Sequence, residues 1–291
     1  LGALDSLDEL EDITEIIVRS LDCLLDYQDY PLKSAEITSN NRRTLGIGVT
    51  NLAYYLAKND AKYSDGSGNE LIHKTFEALQ FYSLKASNKL AIEFGACPLF
   101  SETQYAQGIL PVDSYKKDID VFCNTKLELD WDSLRKDIKA SGLRNSTLTA
   151  LMPCESSSQI SNSTNGIEPP RGFVSVKQSK DGILKQVVPE YEKLHKKYEL
   201  LWDIKDNEGY LQLCAIMQKF VDQSISTNTH YDPSKFEGNR VPMKLFLMDL
   251  LKAYKYGIKT LYYHTTRDGA SDDQSINNPS DDDCEDGVCK L

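Results

Sequence analysis

The chain has 291 residues, 40% of them hydrophobic and 26% charged, with a formal net charge of −11. That is enough apolar material for a sizeable core, while no apolar run approaches the roughly 20 residues of a membrane span and no basic stripe suits a nucleic-acid backbone. The acidity is concentrated at one end: from Asp268 onward eight acids meet one base, Lys290, and everything before them carries only −4.

In chain order, the first segment, LGALDSLDELEDITE, is acidic where a secretory signal would be basic and then apolar. Ser6 and Glu9 fit a capping box. Leu7, Leu10, Ile13, Ile17, Leu21 and Leu24 then recur at three- or four-residue spacing, which predicts an amphipathic helix ending before Pro31. The chain begins at Leu1, without methionine and close to a helical signal, so we expect it to be cut from something longer. RRTLGIGVTNLAYYLAK reads as a short strand or turn around Gly46 and Gly48 that runs into a helix. NELIHKTFEALQFYSLKASNKLAIEFG predicts a long helix stopped by Gly95. After the loop GILPVDSY come a short helix and another that starts near Trp131.

LRNSTLTALMP alternates and is rich in Thr and Leu, which predicts a buried strand. NGIEPPRGF is a turn cluster and FVSVKQ a second strand. Helices are expected over 189–202, 208–226 and 242–259, then a closing strand in TLYYHTT. From Gly269 the composition is that of a disordered tail. Strands interleave with more numerous helices, so the expected class is α/β. The expected division is a body over 1–267 and a flexible acidic tail over 268–291.

Few residues could carry chemistry. Cys284 and Cys289, in CEDGVCKL, can pair if the chain turns between them, and Gly287 would help. They could also be thiols without a role, half of a metal site that lacks further ligands, or a mobile dithiol that carries electrons. Tyr262 and Tyr263 are ordinarily packing residues, but two phenols in contact could form a redox relay. Neighbours in a regular strand point to opposite faces, so a touching pair requires the backbone to leave strand geometry. In TALMPCESSSQISN a strand ends at Pro153 and a helix begins near Ser156. A helix start offers free N–H groups to a phosphate, and a simple serine cap is the alternative.

GIGVTN lacks the third glycine and the strand–helix unit of a dinucleotide fingerprint. His73, His195, His230 and His264 stand apart, and no metal is assigned to this chain. Cys23, Cys97, Cys123 and Cys214 read as small core residues, leaving Cys154 as the body cysteine of interest. Seven cysteines, an odd number in mostly apolar contexts, suit a reducing cytoplasm.

Four stretches, taken in order, resemble one family. NSTLTALMPCESSSQISNSTNGIEPPRGFVSVKQSKDGILKQVVPEY, DQSISTNTHYDPSKF, KTLYYHTTRDGA and the terminal CEDGVCKL are similar to the large, catalytic subunit of aerobic class I ribonucleotide reductase. The resemblance runs along essentially the whole chain. It implies the C-terminal half of a ten-stranded α/β barrel and the reduction of ribonucleoside diphosphates by radical chemistry. It makes Tyr262 and Tyr263 relay tyrosines, and Cys284 and Cys289 a tail dithiol that re-reduces the active site. Pro153, Cys154, Glu155, Ser156 and Ser157 become the loop that holds the substrate's phosphates, with Cys154 where serine is expected. The segment 241–254 resembles the surface on which the small subunit's C-terminal segment docks.

The thiyl cysteine, its Asn and Glu neighbours and the active-site cysteine pair would all precede Leu1. The resemblance therefore implies a piece that needs an N-terminal partner: one half of a split subunit, an expression fragment or a trimmed part of a longer protein, of which the split subunit is the reading preferred. It also implies a small subunit carrying the metal-radical cofactor, thioredoxin or glutaredoxin as reductant, and an oligomeric, cytoplasmic enzyme. Alone, a half-barrel would expose strand edges and apolar faces. The alternatives are a non-catalytic module that binds the small subunit and a stand-alone thiol–disulfide carrier built on the tail.

Overall fold

The computed structural model describes residues 1–179, 182–267, 284–285 and 288–289, with only the backbone described for 177–179, 182–183 and the four tail residues. Helix α1 (Glu9–Tyr27) is followed by α2 (Lys33–Arg42), α3 (Leu52–Lys58) and the long α4 (Asn69–Phe94). Helix α4 is buried along most of its length, with Ile72, Phe76 and Leu84 fully enclosed and the small residues Ser83, Ala86 and Ser87 letting neighbours approach. Its C-terminal end follows the sequence reading: Gly95 stops it at φ 86°, where a side chain would be strained.

Helix α1 runs parallel to α4. Lys85 pairs with Glu11 at 2.6 Å, Lys89 with Glu15 at 2.6 Å and Arg19 with Glu93 at 2.7 Å, each partner four residues further along both helices. The buried stripe of α1 is Leu10, Thr14, Val18 and Asp22, whereas Ile13 and Leu24 are exposed. The stripe differs from the leucine spacing because Asp22 turns inward: it accepts Arg43 Nε at 2.7 Å, Asn145 Nδ2 at 2.9 Å and Arg144 Nε at 3.2 Å. The expected capping box is absent. The Ser6 hydroxyl accepts the Asp8 N–H at 3.2 Å, and Asp8 is the N-cap.

Extended segments form the second layer. Leu45 N–H donates to Thr147 at 3.0 Å and Ala150 N–H to Ile47 at 3.0 Å, joining 45–49 to 147–151 in parallel. Leu151 N–H donates to Ser224 at 3.2 Å and Ser226 N–H to Leu151 at 2.8 Å, joining the second segment to a third in parallel. That third segment continues as β3 (Thr227–Tyr231), which pairs in parallel with β4 (Leu261–Thr266). The order is thus 45–49, 147–151, 224–231, 261–266, all parallel, with helices in the connections, as expected of an α/β chain. No closed barrel forms among the described residues. Gly48 lets the first two segments touch, since a Cβ there would meet the Ala150 carbonyl and Met152 Sδ, each at 2.8 Å.

Several sequence expectations change. The helix expected over 189–202 is a single turn, α7 (Tyr191–Leu194), and the one over 208–226 is α8 (Glu208–Gln218), followed by the third extended segment. FVSVKQ does form a strand, β1 (Val174–Ser179), and pairs antiparallel with β2 (Gly182–Val187), a strand not expected from the sequence although an Asp-Gly pair stands at its start. Helix α2 was also missed: it buries no residue, so no periodicity marks it. Helices α5 (Trp131–Ser141) and α9 (Met243–Lys255) fall where expected. Cys97, Cys123 and Cys214 are buried as read, but Cys23 is exposed. Most of the tail, over 268–291, lies outside the described residues. Its two described pieces, β5 (Cys284–Glu285) and β6 (Val288–Cys289), pair antiparallel.

Candidate functional site

The segment 147–151 ends at a loop that leads into the short helix α6 (Glu155–Ile160). Cys154 is its N-cap, and the cap position is held through the backbone: Cys154 N–H donates to Asn165 Oδ1 at 2.9 Å. The thiol donates to the Met152 carbonyl at 3.3 Å and the Val49 carbonyl at 3.6 Å, and burial pushes its pKa up. This neutral, carbonyl-bound sulfur is not an activated nucleophile. Pro153, Glu155, Ser156 and Ser157 are exposed. The amides of Ser156 and Ser157 lie in the first helical turn, where no intrahelical acceptor exists. Ser158 turns inward, its hydroxyl donating to the Glu155 carbonyl at 2.9 Å. Gln186 on β2 braces the helix end, donating from Nε2 to the Ser158 and Ser163 carbonyls at 3.2 and 3.1 Å.

The tyrosine pair sits on β4. Thr227 opposes Leu261 and Thr229 opposes His264, so Tyr262 and Tyr263 together face the single residue Asn228. This is a β-bulge, with two residues opposite one. It breaks the alternation that would send neighbouring side chains to opposite faces. The ring centroids lie 4.0 Å apart at an interplanar angle of 49°. Both rings are more than half exposed, at 51% and 58%. The Tyr262 phenol donates to Tyr263, which raises the pKa of Tyr262.

Register relates the two places. Leu151 is level with Ile225, and two residues further on Thr227 is level with Leu261. The bulge therefore stands at the height of the loop that begins at Pro153, one strand away from it across β3.

Behind the bulge is a polar tie. Asn228 Oδ1 accepts the Tyr263 N–H at 2.9 Å, and its Nδ2 donates to Glu168 Oε1 at 2.6 Å. His230 Nε2 lies 3.4 Å from the same carboxylate oxygen. Burial opposes the charged form of Glu168, but the hydrogen bonds from His230 and Asn228 prevail and hold its pKa below the ordinary value. Sequence reasoning did not single out Asn228 or Glu168, and it read His230 only as an isolated histidine. They lie in NGIEPPRGF and SISTNTHYD, where no spacing distinguishes them from loop and strand residues.

Helix α9 packs on the same two strands. Phe246 stacks on Tyr231 at 4.4 Å and 17°, with His264 against it at 4.6 Å. Asp249 is buried and accepts the Tyr231 hydroxyl at 3.0 Å and Asn207 Nδ2 at 2.8 Å. The outer face carries Met243, Leu247, Leu250, Leu251 and Tyr254, all exposed. In the tail, the backbone register sets Cys284 opposite Cys289.

Among the described residues no group of three His, Cys, Asp or Glu side chains forms a metal site, and no helix is long and apolar enough to cross a membrane.

Comparison with known proteins gives a consistent answer. The ribonucleotide reductase barrel domain matches residues 3–264. The ribonucleoside-diphosphate reductase subunit alpha of Haemophilus influenzae is 65% identical over 291 residues, all of this chain and 38% of that protein. The ribonucleoside-diphosphate reductase 1 subunit alpha of Escherichia coli is 66% identical over 269 residues, 92% of this chain and 35% of that one. The subunit alpha of phage T4 is 51% identical over 287 residues, 98% of this chain and 37% of that one. The chain thus spans well under half the length of these relatives. With nearly its whole body matched, the chain belongs to the ribonucleotide reductase barrel-domain family.

Proposed function

We propose that this chain is the C-terminal part of the α subunit of a class I ribonucleoside-diphosphate reductase and carries the end of its radical relay, its substrate-phosphate loop and its tail dithiol. The observation that carries the proposal is the contact between Tyr262 and Tyr263, formed by a bulge at the height of the Pro153 loop. A relay needs a short hop between two phenols and access to a partner, and both rings are exposed.

The division of labour follows from these residues. The small subunit, holding the metal-radical cofactor, docks against the exposed apolar face of α9. A hole passes through Tyr262 and Tyr263, each phenol losing an electron with its proton and regaining both as the hole moves on. It is consumed on a cysteine that these 291 residues do not include, contributed by the barrel's N-terminal piece. The four parallel segments would be part of the family's ten-stranded barrel.

The amides and hydroxyls of Ser156 and Ser157 receive the substrate's phosphates. A helix start suits negative charge, and Cys154 serves there through its backbone rather than its thiol. Reduction releases the 2′ hydroxyl as water while a cysteine pair gives up two electrons and becomes a disulfide. Cys284 and Cys289 restore that pair by thiol–disulfide exchange and are reduced in turn by thioredoxin or glutaredoxin. Directly opposed residues of an antiparallel pair lie about 4.5–5.5 Å apart at Cα, within the span of a disulfide, so the register of β5 and β6 suits the oxidised state. Tethering raises the effective concentration to the order of millimolar.

The test is reconstitution. Mixed with the remaining α-subunit polypeptide, a small subunit and thioredoxin, the chain should form deoxyribonucleoside diphosphates. Product from this chain and the small subunit alone would refute the need for an N-terminal piece. No product from the full mixture would refute the reductase reading.

A further inference from the structure

We propose that Asn228 is a positioning residue for the tyrosine pair: its side-chain amide, anchored by Glu168, pins the bulge that turns both phenol rings to one side. The inference rests on the relay assigned above to Tyr262 and Tyr263, although its first readout does not.

The bulge poses a local problem. A regular parallel ladder would pair alternate backbone N–H groups of β4 with carbonyls of β3. With two residues opposite one, the ladder is disrupted and one residue is left over. Here the side chain of the opposing residue fills the gap. The Tyr263 N–H, which the shifted register takes out of the ladder, donates to Asn228 Oδ1 at 2.9 Å. On either side the ladder resumes, with Thr227 opposite Leu261 and Thr229 opposite His264.

Asparagine suits this place because it offers an acceptor and a donor on one rigid group. The acceptor holds Tyr263, and the donor reaches Glu168 Oε1 at 2.6 Å. Glu168 is held from the far side by His230, 3.4 Å away. The amide therefore cannot rotate without giving up a hydrogen bond to a charged group, the stronger kind of bond. A second clamp steadies the strand just beyond the bulge, where His264 Nδ1 lies 2.6 Å from Thr229 Oγ1.

Three consequences follow. Without the amide, the Tyr263 N–H has no side-chain acceptor, and the extra residue is free to move along the strand. A one-residue slip flips side chains to the opposite face. The phenols then separate and the hop between them lengthens.

The test compares three forms of the chain: unsubstituted, Asn228→Ala, and the exchanged pair Asn228→Asp with Glu168→Gln. The exchange reverses the anchoring bond, with glutamine donating to aspartate, and keeps an acceptor for the Tyr263 N–H. The first readout is the titration of a fluorinated tyrosine at position 262, whose phenol ionises near neutral pH, followed by fluorine NMR. It reports the contact with Tyr263, whose phenol donates to the phenolate formed at 262 and lowers its pKa. Circular dichroism checks the fold of each form.

Asn228→Ala is expected to shift the titration upward, and the exchanged pair to return it toward the unsubstituted value. In the reconstituted complex, with natural tyrosines, Asn228→Ala should lower kcat on the order of a hundredfold, the scale of a misplaced reacting group. Substrate KM and affinity for the small subunit should not change, and the exchanged pair should recover most of the rate. An unchanged titration in a folded Asn228→Ala chain overturns the inference, as does a folded exchanged pair that stays shifted. Failure of the unsubstituted complex to reduce nucleotides would overturn the reductase reading instead, and the titration would still decide the role of Asn228.

Discussion

Tyr262 and Tyr263 are consecutive in sequence, yet their rings meet at 4.0 Å because one residue of β3 faces both. Tyr262→Phe removes the phenolic O–H that a proton-coupled hop requires and keeps the ring's volume. Turnover in the reconstituted complex is expected to fall to background, with unchanged affinity for the small subunit by sedimentation. Retained turnover would eliminate the relay.

Cys284→Ser and Cys289→Ser are each expected to abolish multiple turnover driven by thioredoxin. A pre-reduced complex should still complete its first round, and a small dithiol reductant should restore steady turnover. Rapid-quench measurement of the first round against the steady state separates the two. Loss of the first round would place these cysteines in the chemistry itself.

The long helix, the strand at TLYYHTT and the loop after Pro153 were legible because each is written locally: a run of core residues closed by Gly95, β-favouring residues, and a proline that ends a strand. The need for the tyrosine strand to depart from regular geometry was legible too, since adjacent side chains could not otherwise meet. What supplies the departure was not. Asn228 lies 35 residues from Tyr263 and acts through Glu168, 60 residues from itself, so no window of sequence contains the arrangement. The inward turn of Asp22 was hidden for the same reason. Its partners Arg43 and Arg144 are distant, and an aspartate amid leucines reads as a surface residue until they are brought to it.

Asp22→Ala tests that buried junction. It takes a carboxylate from among Arg43, Arg144 and Asn145 and leaves Arg43, 3% exposed, with Asp26 as its remaining carboxylate. Breaking a buried pair by removing one partner costs about 3–5 kcal/mol. Urea unfolding should show a loss in that range, and a loss below about 1 kcal/mol would mean that Asp26 compensates.

His73 makes stability depend on pH. The ring is fully buried, and its Nε2 lies 3.0 Å from Lys219 Nζ, with Glu77 Oε2 4.0 Å from Nδ1. Burial, and then the charge of Lys219, hold its pKa at about 4 against an ordinary 6.5. Between those values the unfolded chain takes up a proton that the folded chain refuses. Stability therefore falls as pH drops through this window, by about 3 kcal/mol in total. His73→Gln should remove that part of the slope, as seen in unfolding free energies measured from pH 7 to 4.

Cys154→Ser replaces a half-buried thiol by a hydroxyl at the cap of α6 while the backbone bond to Asn165 remains. If the loop binds phosphate, the added donor is worth about 1 kcal/mol. Substrate KM should then drop severalfold at unchanged kcat. A change in kcat would show that the sulfur takes part in turnover.

Among the described residues, helix α9 is held to the strands through one side. Phe246 and Asp249 grip the strands that carry Asn228 and the tyrosines, and the opposite side is apolar and bare. A body so mounted acts as a handle. A partner seated on its outer surface would rest, through the helix, on the stacked rings of Tyr231 and Phe246 and on His264 of the kinked strand.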